Sequence, residues 1–157
     1  MKKQLLAICV LPLLAIAAYA QNDAKKAEYF SAQDIQKQLA DLAPQAKSSG
    51  SSGSTFGDYT SHQLKLSVRT SSGGAEVHAH YDDVFVVTQG QATLITGGTV
   101  VDPKTDADGE TKGPSIHDGN TQVISVGDVV HIPAGTPHQL KIAPGTLFST
   151  IVVKVKE

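Results

Sequence analysis

The stretch "GDVVHIPAGTPH", residues 127–138, decides how this chain is read. Gly127 with Asp128 makes a turn into the β-branched run Val129 to Ile132. Pro133 and Gly135 then force a tight bend, because proline fixes its own φ and glycine accepts a positive one. The bend delivers His138 at the start of the next strand. Whatever that histidine meets must come from another part of the chain.

"AEVHAHYDDVFVVTQG", residues 75–90, offers partners. Side chains alternate along an extended segment, so Glu76, His78 and His80 share one face while Val77 and Ala79 share the other. Two imidazoles on one face can serve one ion, yet a half-solvated strand of an antiparallel sheet alternates in the same way without any ion. Phe85 and Val87 alternate with Asp83 and are expected to line a cavity floor. Tyr81 is read as a packing residue that can also donate a hydrogen bond. Arg69 is read as a strand-end ion pair with Glu76, or as a holder of an anionic substrate.

Around these two stretches, from Tyr59 onward, short β-branched runs such as "HQLKLSV", "QATLIT", "TQVISV" and "TLFSTIVVKV" are broken by Gly, Pro, Asp and Asn. Many short strands with frequent turn signals predict an all-β sandwich or barrel. The polar insertion at residues 102–120 is long enough to act as a lid or a mobile segment. Its "DADGE" fails as a calcium loop, since position one falls on Lys104 and the closing acid on Ser115; it reads as a solvated turn. His62, His117 and His131 read as solvated, with His117 able to fold over the site as part of a lid.

Residues 28–46 predict a short amphipathic helix, with Ser31 as N-cap, Ile35, Leu39 and Leu42 on one face, and a Phe30–Ile35 staple. It is expected to cover one end of the domain or a partner subunit. "KSSGSSGS", residues 47–54, has the composition of a flexible linker separating helix from body.

The chain opens with Lys2 and Lys3, an apolar run from Leu5 to Ala18, and Ala18-Tyr19-Ala20, the layout of a secretory signal peptide. The division expected is therefore 1–20 signal peptide, 21–54 helix and Gly/Ser linker, and 55–157 β-barrel domain, with a periplasmic or secreted product. Cys9 leaves with the leader, so disulfides and thiolate ligands are excluded and any metal must use nitrogen and oxygen. Removing Lys2 and Lys3 takes the 13 Lys and Arg to 11 against 15 Asp and Glu, a formal charge of −4. That balance argues against nucleic acid, and nothing after the leader suggests a membrane-surface helix.

The segment 127–138 resembles the second motif of the cupin superfamily: Gly127, Pro133, Gly135 and His138 match in spacing, and Ile142 stands where the closing Asn belongs. The segment 75–90 resembles the first motif more loosely. His78, His80 and Gly90 fit, and Asp83 takes the place of the Glu, with six residues between it and Gly90 but only two between it and His80; Ser72 stands where a leading Gly belongs. The resemblance implies a cupin jelly-roll β-barrel that binds one divalent metal (Fe, Mn, Ni or Zn) through His78, His80, His138 and Asp83, with Glu76 as the alternative oxygen ligand. It also implies a homodimer and a small-molecule ligand. Two functions stay open: a metal-dependent enzyme of dioxygenase, isomerase or decarboxylase type, and a non-catalytic binder, with or without metal.

Overall fold

The computed structural model describes residues 26–157; the expected signal peptide, residues 1–20, and Cys9 lie outside the described residues. Among the described residues one helix, α1 (Ala32–Ser49), precedes thirteen strands: β1 (Ser51–Asp58), β2 (His62–Arg69), β3 (Ala75–Val77), β4 (Tyr81–Gln89), β5 (Gln91–Thr96), β6 (Thr99–Val100), β7 (Lys104–Thr105), β8 (Thr111–Gly113), β9 (Ile116–His117), β10 (Asn120–Ser125), β11 (Val129–Ile132), β12 (His138–Lys141) and β13 (Phe148–Lys156). They form the expected all-β jelly roll from two antiparallel sheets, one ordered β1-β2-β13-β4-β11 and the other β10-β5-β12-β3-β8-β7, with β6 and β9 paired separately.

Between the sheets, alternation puts Phe85 and Val87 of β4 beside Leu94, Ile124, Ile132, Leu140, Ile142 and Phe148 in one buried cluster. The other face of the five-stranded sheet is covered by α1. Leu66 and Val68 of β2 are fully buried there against Ile35, Leu39 and Ala46, with Phe30, Leu42 and Ile151 around them. The helix starts as its sequence predicts. Ser31 Oγ accepts the Asp34 amide at 3.0 Å, and Phe30 joins Ile35 in the cluster.

Two expectations about this region need correction. The helix is part of the body of the domain, covering a sheet face. The stretch 47–54 is also no linker: α1 runs through Lys47–Ser49, Gly50 closes it at φ +87° with its amide on Ala46 O at 2.8 Å, and β1 begins at Ser51. The physical reason is that an edge strand needs only one neighbour. Backbone pairing from Ser51↔Arg69 to Asp58↔Gln63 holds β1 on β2, and Phe56 packs edge-on against Phe30 with ring centroids 4.8 Å apart. At Gly53 a Cβ would stand 2.9 Å from Leu66 O, so the small residue suits the close approach of the two chains.

Candidate metal centre

The cross-strand register of the six-stranded sheet sets His138 on β12 opposite Glu76 on β3, and residues directly opposite in an antiparallel pair project to the same side. His78 follows one residue past the end of β3. From the facing sheet comes Asp83 of β4, 4 % exposed and in phase with Phe85 and Val87. One ligand atom from each of Glu76, His78 and His138 lies within 4.8 Å of the others. Asp83 Oδ2 stands 3.3 Å from His78 Nε2 and 3.8 Å from His138 Nε2. Glu76, His78 and His138 thus meet at one point, with Asp83 of the facing sheet against the two imidazoles.

The bend at Pro133–Gly135 places His138 because it is pinned from two directions. The Gly135 amide donates to His78 O at 2.8 Å, and the Ala134 amide donates to Asp82 Oδ1 at 2.7 Å. Gly135 adopts φ +76°, where other residues are strained. Asp82 also receives His131 Nε2 at 2.9 Å on its other oxygen. His131 is therefore a surface residue, as expected, although one with a structural bond.

Both histidines present Nε2 to the centre because Nδ1 is occupied elsewhere. His138 Nδ1 donates to Thr136 O at 3.1 Å. His78 Nδ1 bonds to a carboxylate oxygen of Glu110, which reaches in from the insertion at 102–120. Hydrogen bonds of this kind fix the ring orientation and tautomer of a metal ligand. The "DADGE" turn aims that carboxylate: Asp106 Oδ1 accepts the amides of Asp108 and Glu110, both at 3.0 Å, and Gly109 takes φ +82°. It is a turn, as its sequence predicts, but one that serves the centre.

The electrostatics follow from this packing. Burial works against charge on His78, yet the hydrogen bonds to Asp83 and Glu110 outweigh it and raise the imidazole above its ordinary 6.5. Asp83 has the mirror arrangement: burial opposes ionisation, but His78 and the Lys154 ammonium hold the carboxyl below its ordinary 3.8. His138 is lowered, chiefly by burial. Lys154 Nζ pairs with Asp83 Oδ1 at 3.1 Å.

His80 is not part of this group. The alternation that would align residues 76, 78 and 80 holds only while the chain is extended, and β3 stops at Val77. Gly109 packs against Ala79, where an added Cβ would come within 2.7 Å of the alanine methyl, and the chain bends there. His80 is exposed and lines a separate cavity with Tyr81 and Asp108. Glu76 takes the place expected of it. The spacing carries a signal for this: four residues lie between His78 and Asp83 and one between Glu76 and His78, so a Glu-x-His pair stands where His-x-His was expected. Nothing in the sequence near the two motifs points to Glu110. Arg69 forms no ion pair with Glu76 among the described residues. His117, with its side chain 74 % exposed, pairs with neighbouring Asp118.

A cavity of ≈ 510 Å³ reaches Glu76, His78 and Asp83, with Phe85, Leu140 and Val152 as its apolar wall. A larger cavity of ≈ 780 Å³ lies along α1 and is lined by no ionisable side chain, so the chemistry belongs to the smaller one. The donor set, two imidazoles with the carboxylates of Glu76 and Asp83, fits a first-row divalent ion.

No protein-family model matches the sequence, and no curated protein sequence matches it. Solved structures do share the fold. The polyketide cyclase RemF of Streptomyces resistomycificus is 17% identical, with a TM-score of 0.50 over 69% of this chain and 67% of that one. A DMSP lyase of Ruegeria pomeroyi is 13% identical at 0.50 over 68% of this chain, which spans 47% of the lyase. The cupin domain of Schizosaccharomyces pombe Cnp3 is 11% identical at 0.50, over 68% and 61%.

Proposed function

The chain carries the cupin fold, and on that premise we propose that it is an exported protein holding one divalent metal (iron, manganese, nickel or zinc) to act on a small molecule. The observation that carries this reading is the convergence of Glu76, His78 and His138 within 4.8 Å, with Asp83 beside them. The reaction belongs to the dioxygenase, isomerase or decarboxylase types. A bound ion would supply Lewis acidity and orient a substrate.

The chain's own residues prepare the centre. Thr136 O and Glu110 engage Nδ1 of the two rings so that Nε2 of each faces the centre, His78 and Lys154 favour the ionised form of Asp83, and Phe85 with Val152 keeps one side of the cavity apolar. Export to the periplasm or beyond rests on Lys2, Lys3, the apolar run and Ala18-Tyr19-Ala20. Pairing into a homodimer belongs to the same reading, and sedimentation measures it directly.

Elemental analysis of protein purified without a His tag or chelator tests the centre. Stoichiometric metal is expected in the native protein and in His80→Ala, and its loss in His78→Ala and His138→Ala. Full retention in His138→Ala would overturn the assignment. Loss of substrate from a panel of small diols and keto acids supports an enzyme; tight binding without consumption would make the protein a binder.

A further inference from the structure

The cavity that reaches the metal centre has a second chemical character. Along β2 the residues alternating with buried Leu66 and Val68 are Lys65, Ser67 and Arg69, and all three line the cavity, as does Lys154 of the neighbouring β13. Two carboxylates therefore face three cations in one space of ≈ 510 Å³. A divalent ion would balance the charge of Glu76 and Asp83, leaving Lys65 and Arg69 without an anion of their own. Lys154 sits on Asp83. Lys65 and Arg69 have no acidic partner within ion-pair distance among the described residues.

Arg69 is also held in position. Its guanidinium rests on Gly73, where an added Cβ would stand 2.7 Å from Nη1. Gly73 is itself fixed, its amide on Leu140 O at 3.1 Å and its carbonyl accepting Gln139 Nε2 at 2.8 Å. Arg69 Nε is buried and has no hydrogen-bond partner. A buried unpaired guanidinium N–H is costly, and the planar fork suits the two oxygens of an oxyanion. Ser51 of β1, paired with Arg69, lines the same wall.

We propose that the ligand is a small molecule bearing an oxyanion, carboxylate or phosphate, which Arg69 and Lys65 receive while the rest of the molecule faces Glu76, His78 and Asp83. This names the substrate class of the site described above and rests on that reading. Neutral sugars and unsubstituted diols lack the group these cations select.

Calorimetric titration of the protein, with its metal content measured in parallel, tests the assignment using malonate, inorganic phosphate and the neutral malonamide. Malonate or phosphate is expected to bind and malonamide not to; which of the two binds decides between carboxylate and phosphate. Arg69→Gln is expected to weaken binding about tenfold or more at unchanged metal content and unchanged Tm, and Lys65→Gln to weaken it less. Ser67→Asp, which keeps Arg69 and its support, is expected to weaken binding as well, so the test survives if Arg69→Gln fails to fold. Malonate that binds Arg69→Gln and Ser67→Asp as tightly as the native protein is held by the ion alone and overturns the inference, as does equal binding of malonamide. Stoichiometric metal with no oxyanion binding overturns the inference and leaves the metal centre standing. Oxyanion binding that depends on Arg69 in protein devoid of metal overturns the metal centre and sustains the anion site.

Discussion

The two faces of β2 differ in almost everything except the backbone they share. Leu66 and Val68 turn outward beneath α1 and are wholly buried, whereas Lys65, Ser67 and Arg69 turn inward to a polar cavity. One residue step along a strand moves a side chain from a surface sealed by hydrophobic burial to one that keeps its charges for a ligand. In this barrel the sheet is stabilised mainly from its helix side and from the apolar end between the sheets, which leaves the remaining interior free to be polar.

That contrast can be broken from either face. Leu66→Ala removes a side chain that is 1 % exposed and should cost about 2–5 kcal/mol of unfolding free energy, while metal stoichiometry at low temperature stays intact. Denaturant unfolding measures the first and elemental analysis the second. A comparable loss of metal in that variant would show that the two faces are not independent. Glu110→Gln sharpens the contrast from inside: it keeps the shape of the Nδ1 partner but removes its charge, and should weaken metal affinity by about 10–100-fold with little change in Tm. Competition with a calibrated chelator reads this out, and unchanged affinity would reduce Glu110 to a packing role.

The smallest effect concerns pH in chelator-treated protein. His78 is raised above 6.5, so its contribution is full below the ordinary value and is lost as pH climbs through the raised one. His138 is lowered, so the unfolded chain takes a proton that the folded chain refuses, and stability falls as pH drops below 6.5. Asp83, held below 3.8, withdraws its own contribution only at still lower pH. Tm should therefore peak near the ordinary histidine value between about pH 5 and pH 8. His78→Asn is expected to flatten the alkaline limb and His138→Gln the acid one. A profile that rises or falls steadily across that range would contradict both assignments.

How much of this was legible depends on whether the deciding interaction is local. The bend at Pro133–Gly135 and the histidine after it are written in consecutive residues, and β4 announces itself by alternation through Asp83, Phe85 and Val87. β1 does not, since Ser and Gly carry no strand preference and the strand exists through its pairing with β2. His80 misled because alternation holds only while the chain is extended, and β3 stops at Val77. Glu110 lies 32 residues from His78 along the chain, and only the folded insertion brings them together.

The bond from Glu110 to His78 has a wider consequence. The basicity of a barrel histidine is raised in part by a hairpin outside the two apolar clusters, so changes of length or sequence there would retune the centre while the walls stay as they are. Such an arrangement separates adjustment from architecture: the scaffold can remain fixed while an appended segment sets how strongly the nitrogen donates.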